Sequence, residues 1–164
     1  MQETRARLAR GEAANWRLDL ARALEHAPPS LAWQEFHEGD APTSVPAEPQ
    51  RWGDILLAAK DRPAVYHLAV VVDDALQGVT DVVRGRDLFP STSLHRLLQV
   101  LLDLPAPRYR HHRLVVDAEG AKLSKSAKSE SLRALRQQGF SAADLRAALG
   151  FGAATSNKLA VALS

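Results

Sequence analysis

Hydrophobic and polar positions alternate most regularly after residue 51, where the pattern predicts helices and short strands in turn. The clearest helix is expected over residues 91–103, because leucines recur there at helical spacing. Ser91, Thr92 or Ser93 can cap its start, and Pro105 follows its end. Strands alternating with helices suggest an α/β fold with a parallel sheet.

Other segments of this region are shorter. An apolar segment is expected at residues 54–59, strands at 79–85 and 113–117, and helices at 131–138 and 142–149. Gly139 and Gly150 are typical helix ends, and Ser141 with Asp144 forms a capping box. Residues 66–76 stay open: the Val-Val-Val core favours a strand, whereas the length and Gly78 fit a helix.

The first fifty residues are less regular. Residues 3–13 favour a helix by propensity, and residues 16–20 alternate as a short strand would. Residues 28–50 carry five of the nine prolines and are interpreted as a loop-rich connection. Within them, residues 31–36 partly alternate and are a candidate edge strand.

Composition narrows the class of protein. A chain of 164 residues fits one ordinary domain. It has no cysteine, which excludes disulfides, a cysteine nucleophile and thiolate metal sites. No apolar run approaches the roughly 20 residues of a membrane span, and no signal peptide is recognisable. The default expectation is a soluble cytoplasmic protein.

Positive charge is concentrated in one part of the chain. Arginine supplies most of the 21 basic residues, and it favours planar partners such as carboxylate and phosphate. A basic cluster consists of Arg108, Arg110, Arg113, Lys122, Lys125 and Lys128. It suits an anionic ligand or nucleic acid, and the alternative is a solvated surface.

The most informative segment is Lys122-Leu123-Ser124-Lys125-Ser126, which lies between a predicted strand and a predicted helix. Two lysines among hydroxyl residues can fold over a triphosphate and stabilise charge that develops there. The spacing is not that of a Walker loop. The alternative is an ordinary solvated loop.

Tyr66 and Arg84 form a second candidate site. Tyr66 opens one element, and Arg84 ends the next strand beside Gly85. Ligands of open α/β sheets bind beyond the carboxyl ends of the strands, where an arginine can hold a carboxylate. The alternative is a half-buried tyrosine and a surface ion pair.

Two adjacent pairs are weaker candidates. Asp73-Asp74 and His111-His112 cannot point the same way on a helix or a strand. A paired-carboxylate site and a zinc site are therefore improbable, and no metal site is expected. One of the two histidines is a candidate nucleotide contact.

Three blocks of sequence resemble a known family. They comprise residues 52–58 with 60–80, residues 82–88 with 91–92 and 96–99, and residues 109–115 leading to 120–126. In this order they resemble the class I glutamyl-tRNA synthetases over about residues 16–150. The nearest branch is the short one that attaches glutamate to queuosine of tRNA(Asp).

The resemblance implies a fold and a division of the chain. It implies the second half of a Rossmann-like nucleotide-binding domain, followed by short C-terminal helices, and it favours the helix at residues 66–76. Three regions are expected. Residues 1–50 form a helical and loop-rich connection, residues 51–128 form the half-domain with the lysine loop, and residues 129–164 form a helical segment. The family's His-x-Gly-His signature and cysteine-rich zinc site have no match here. The chain is therefore expected to be the C-terminal half of the enzyme, with a separate N-terminal half as a candidate partner.

The resemblance also implies an activity. The family activates glutamate with ATP and Mg²⁺ as glutamyl-adenylate and transfers it to tRNA. By this resemblance Tyr66 and Arg84 bind glutamate, and Lys122 and Lys125 are catalytic. The ATP contacts would be His111 and the loop residues Lys122, Leu123, Ser124, Lys125 and Ser126. The alternative is a non-catalytic tRNA-binding protein or an inactive remnant.

Overall fold

The computed structural model describes residues 6–7, 9–37, 39–116, 122–123 and 131–151. The chain falls into two compact units, residues 1–112 and residues 113–164. Within the described ranges, none of the helices has the length and apolar character needed to cross a bilayer.

Among its described residues from 16 to 112, the first unit contains six strands and three α-helices. The strands are β1 (Trp16–Arg17), β2 (Ala32–Glu35), β3 (Thr43–Pro46), β4 (Leu56–Ala58), β5 (Asp81–Gly85) and β6 (Arg108–His112). The helices are α1 (Leu20–Glu25), α2 (Tyr66–Leu76) and α3 (Ser91–Leu101). Short 3₁₀ turns occur at Pro49–Arg51 and Arg86–Leu88.

The main sheet has four strands in the order β3-β2-β6-β5. Strands β2, β6 and β5 run parallel to one another, whereas β3 runs antiparallel to β2. The expected α/β architecture is present, and three of the four strands are parallel, as predicted. The β2–β3 hairpin adds an antiparallel edge, which is common in sheets of this class. Strands β1 and β4 form a separate antiparallel pair.

Helix α3 joins the two parts of the hydrophobic core. One cluster contains Leu20, Ala23, Leu31 and Leu97, and the other contains Val71, Leu94 and Leu98. Both clusters include leucines of α3 because these leucines recur at helical spacing. Helix α3 therefore packs against α1 on one side and α2 on the other.

The last strand of the sheet lies earlier than the sequence predicts. The strand expected at residues 113–117 is wrong: β6 spans Arg108–His112, and Val116 forms only an isolated bridge with Lys122. Buried positions of β6 are Tyr109 and His111, while its flanking residues are charged. A hydropathy pattern misses a strand whose inward side chains are polar.

The region of residues 28–50 is more ordered than expected. It contains the β2–β3 hairpin instead of a loop-rich connection. Strand β2 confirms a strand within residues 31–36, but it lies between β3 and β6 and is not an edge strand. The prolines fall largely outside β2, and Pro46 closes the edge strand β3, where a missing N–H is tolerated.

Helices α2 and α3 begin without a side-chain cap. Residues 66–76 form a helix, as the resemblance favours, and Gly78 follows it with a positive φ of 66°. The expected capping by Ser91, Thr92 or Ser93 is wrong, because the residue at the N-cap is Pro90. Hydroxyls of Thr92 and Ser93 instead bond to other segments of the chain.

The second unit contains two short helices, α4 (Leu132–Gln137) and α5 (Ala142–Ala148). Both confirm their predicted positions. The Ser131 hydroxyl caps α4, and Ser141 with Asp144 forms the complete capping box of α5. At the N-terminal end of the chain, residues 6, 7 and 9 are helical, and the rest of the helix predicted there lies partly outside the described residues.

Candidate functional site around Arg84

Three polar side chains meet where the parallel strands of the main sheet end. Arg84 pairs with His111 across β5 and β6, and Glu35 is the last residue of β2. Carboxyl ends of parallel strands meet at one edge of a sheet, which is where α/β proteins bind ligands. This confirms the expected position of Arg84 and adds two residues beside it.

The half-buried guanidinium of Arg84 is held on several sides. Its Nε donates to His111 Nε2 at 3.0 Å, and its Nη1 lies 3.1 Å from His95 Nδ1. Its Nη2 donates to Thr92 Oγ1 at 2.6 Å and to the carbonyl oxygen of Leu88 at 3.4 Å. All four acceptors are uncharged when the histidines are neutral. Among the described residues, Arg84 donates to no carboxylate.

His111 is fixed by Glu35 on its other side. Nδ1 of His111 lies 2.9 and 3.0 Å from the two carboxylate oxygens of Glu35. The same carboxylate accepts the backbone N–H of His111 at 2.8 Å and the indole N–H of Trp33 at 3.1 Å. Because Arg84 only donates, His111 Nε2 must accept, and its proton is on Nδ1.

His95 continues the chain toward helix α2. Its Nδ1 faces the Arg84 donor, so its proton is on Nε2. That nitrogen lies 3.0 Å from Nδ1 of His67, which then accepts. His95 is 1% exposed, and α3 places it one turn from Thr92, so both side chains face Arg84.

The surroundings keep these histidines neutral. Burial lowers the pKa of His95 to about 3, and the positive charges of Arg84, His67 and His111 act in the same direction. Burial also lowers the pKa of His67, assisted by Arg84. For His111, burial lowers the pKa more than its hydrogen bond to the Glu35 carboxylate raises it.

Aromatic rings border the arginine. The Arg84 guanidinium carbon lies 4.9 Å from the centroid of the Tyr109 ring, which stacks parallel to His111. A cation above an aromatic face is stabilised by the ring quadrupole. Asp74 lies close enough for the Arg84 charge to oppose the burial that raises the pKa of its carboxyl group.

Tyr66 is the first residue of helix α2 and lies near this cluster. Its ring contacts His67 and His95 edge-on, with centroids 5.3 and 5.9 Å apart. It is 49% exposed, so it is not a core residue. Its hydroxyl has no hydrogen-bond partner within the described part of the chain. The structure thus brings Tyr66 and Arg84 together through His95.

The lysine loop belongs to the second unit. Lys122 forms an isolated bridge with Val116, and the Leu123 N–H donates to the Val115 carbonyl at 3.1 Å. Ser124, Lys125 and Ser126 lie outside the described residues.

His111, expected to contact ATP, has both ring nitrogens engaged in hydrogen bonds and is 6% exposed. Its contact with ATP stays a prediction.

Sequence reasoning missed four residues of this cluster: Glu35, His67, Thr92 and His95. A weak signal exists for two of them, since Thr92 and His95 are polar residues three apart on a leucine-rich helix. No signal connects Glu35 to His111, because the two residues are 76 positions apart.

The described residues contain no group of three or more side chains that could hold a metal ion.

Comparison with known proteins shows the family to which the chain belongs. A profile described as tRNA synthetases class I (E and Q), catalytic domain, matches residues 41–159, which is most of the chain. The chain belongs to this family. The match includes Tyr66, Arg84 and the lysine loop.

Individual relatives within the class I synthetases agree. The chain is 42% identical over 138 residues to a glutamyl-Q tRNA(Asp) synthetase of Rhodobacter capsulatus, covering 82% of this chain and 47% of that protein. It is 47% identical to one of Leptothrix cholodnii, covering 74% of this chain and 39% of that protein. The chain thus spans about half the length of these curated relatives, or less.

A solved structure supports the fold. A glutamate tRNA ligase from Elizabethkingia meningosepticum, crystallised with its amino acid, superposes with a TM-score of 0.58 at 27% identity. The superposition covers 85% of this chain and 25% of the ligase. The expected family and the α/β fold of a class I synthetase catalytic domain are confirmed.

Proposed function

We propose that this chain takes part in activating glutamate with ATP, as glutamyl-adenylate, and in transferring the glutamyl group to queuosine of tRNA(Asp). The names of the relatives support glutamate and tRNA(Asp) as partners. The observation that carries the proposal is the state of Arg84, whose positive charge is surrounded by neutral acceptors.

Arg84 and Tyr66 are proposed to hold one carboxylate of glutamate. A guanidinium has five N–H donors, and the described acceptors account for four of those on Arg84. One N–H on Nη1 remains for an anion, and a half-buried guanidinium whose hydrogen-bond acceptors are all neutral strengthens that interaction. The Tyr66 hydroxyl supplies a further polar group at the exposed side.

The second carboxylate of glutamate is the one that reacts. Its oxygen attacks the α-phosphorus of ATP, an O–P bond forms, and pyrophosphate leaves. A carboxylate bound to Arg84 is less nucleophilic, because its charge is partly neutralised. Binding one carboxylate and leaving the other free therefore selects the reacting end by position.

Lys122 and Lys125 of the lysine loop are proposed to stabilise charge on the phosphates. Leu123, Ser124, Ser126 and His111 are the further proposed ATP contacts. Mg²⁺ is proposed to arrive with ATP, because phosphate oxygens are ligands that it prefers. The remaining work is placement of the two reactants and stabilisation of developing charge.

The test is ATP–pyrophosphate exchange with the 164-residue chain, in the presence of glutamate, glutamine or aspartate. Exchange that depends on glutamate supports the proposal, and the glutamyl group should then appear on queuosine-containing tRNA(Asp). Absence of exchange contradicts it for this chain. Binding to tRNA that falls steeply with salt, without exchange, would favour the non-catalytic alternative.

Arg84 and Lys125 separate binding from chemistry. Arg84→Ala is expected to weaken glutamate binding by about tenfold to a hundredfold, which corresponds to the free energy that hydrogen bonds to a charged group contribute. Arg86→Ala, which removes a nearby arginine that lies against Phe89, is the matched control. Lys125→Ala should lower exchange far more than glutamate affinity. Equal losses in both quantities would contradict the role of Lys125.

A further inference from the structure

One continuous chain of hydrogen bonds links Glu35, His111, Arg84, His95 and His67. It joins strands β2, β6 and β5 to helices α3 and α2. Each of the two middle histidines, His111 and His95, lies between two hydrogen-bond partners.

The hydrogen bonds of Arg84 show the direction of every proton in this chain. Arginine donates and never accepts, so His111 and His95 must both accept from it. His111 then carries its proton on Nδ1 and gives it to Glu35, while His95 carries its proton on Nε2 and gives it to His67. The two histidines are therefore opposite tautomers around one arginine.

We propose that Glu35 and His67 are positioning residues, which act through His111 and His95 to hold the Arg84 guanidinium in one orientation for a carboxylate ligand. This inference rests on the proposed binding of glutamate to Arg84. Neither residue contacts the guanidinium itself in the described structure. Each accepts the proton of its neighbouring histidine and so stabilises the tautomer whose other nitrogen accepts from Arg84.

Holding an arginine with neutral histidines has a specific consequence. A carboxylate in direct contact with Arg84 would fix it equally well but would neutralise the charge that the ligand needs. Here the carboxylate of Glu35 lies one ring away, behind His111, so Arg84 keeps its charge. A flexible side chain fixed before binding also loses less entropy when the ligand arrives.

The first experiment reads the tautomers directly. In the full chain labelled with ¹⁵N at histidine, long-range ¹H–¹⁵N correlation spectra at neutral pH distinguish a protonated from an unprotonated ring nitrogen. We expect unprotonated Nε2 in His111 and unprotonated Nδ1 in His95. The same tautomer in both rings, or a doubly protonated ring in either, would overturn the proposal.

The second experiment removes each positioning residue. In Glu35→Gln, either orientation of the amide presents its NH₂ group to a donor, the Trp33 indole or the His111 backbone N–H. We expect His111 to lose its single tautomer and glutamate affinity to fall about tenfold. Glu48→Gln is the matched control, because the Glu48 carboxylate pairs with Arg51 and not with this cluster.

His67→Phe tests the other end and keeps the inference testable if Glu35→Gln does not fold. It preserves a ring against Trp52 and Tyr66 but removes the acceptor for His95. The His95 spectrum should change from one tautomer to a mixture, again with weaker glutamate binding. An unchanged His95 tautomer would contradict the role of His67.

The two proposals fail differently. If the wild-type chain shows the opposite tautomers but binds no glutamate, the proposed function is wrong and the positioning role falls with it. If the wild-type chain binds glutamate and both variants bind it equally well, the proposed function stands and the positioning role is wrong.

Discussion

Helices α3 and α5 are stabilised in opposite ways. Helix α3 has no side-chain cap, yet most of its residues are buried, among them Leu94 and Leu97 at 0% exposure. Helix α5 has a complete capping box between Ser141 and Asp144, yet none of its residues is buried. One helix depends on the rest of its unit, and the other depends on signals within its own sequence.

The difference shows where a functional helix obtains its polar groups. Short helices are marginal by themselves, and tertiary packing supplies most of their stability in proteins. Because leucines of both core clusters stabilise α3, its hydroxyl groups and His95 are not needed to cap the helix. Thr92 and His95 can therefore bind Arg84, whereas Ser141 is committed to starting its helix.

Leu97→Ala should produce the largest loss of stability. Removing a fully buried leucine from a core usually costs about 2–5 kcal/mol, through lost transfer free energy and the cavity left behind. Leu145→Ala in α5, where the side chain is only partly buried, should cost clearly less. Urea unfolding of both variants measures the contrast, and equal losses would contradict it.

Acid should destabilise the region around α3 through His95. The pKa of this residue is lowered from 6.5 to about 3 in the folded protein, so the unfolded chain binds the proton first. The contribution of His95 to the free energy of unfolding is therefore fully present above pH 6.5 and is lost as the pH falls toward about 3. His67 and His111 have lowered pKa values and act in the same direction.

The variant His95→Gln isolates this effect. An amide can accept from Arg84 but does not titrate, and the carboxyl groups titrate alike in both proteins. Urea unfolding at a series of pH values should give the variant a smaller acid loss than the wild type. An identical loss would mean that His95 takes up its proton at the same pH in the folded protein as in the unfolded chain.

Ser141→Ala should have the smallest effect of the three, and a local one. Loss of an N-cap side chain costs about 1 kcal/mol, which is expected to lower the protection of α5 amides from hydrogen exchange. In α3, Ser91→Ala removes a hydroxyl that caps nothing and should leave the protection of its helix nearly unchanged. A comparable loss in both helices would end the contrast between them.

Much of the fold can be predicted from the sequence, and the reasons are local. Helices α4 and α5 were predicted with their glycine ends and the capping box, because capping involves neighbours within one turn. The leucine spacing predicts α3 in the same way. Strand β6 was misplaced because its buried positions, Tyr109 and His111, are polar, so the period-two signal does not appear in hydropathy.

Some residues of the candidate site could be predicted from the sequence, and others could not. Arg84 was predicted from its position beside Gly85 at a strand end, and Tyr66 from the resemblance to the synthetase family. Glu35 was not predicted, since a carboxylate in a short alternating segment gives no sign that it faces a distant histidine. His95 looked like any polar residue of an amphipathic helix.

The sequence by itself determined helices α3, α4 and α5, the family and the presence of an arginine at the carboxyl end of a strand. Only the tertiary structure decided that β2 lies beside β6, so that Glu35 reaches His111, and that α3 turns Thr92 and His95 toward Arg84. Helix signals act between residues a turn apart, whereas strand order and buried hydrogen bonds join residues far apart in the chain. Their geometry exists only once the core has packed.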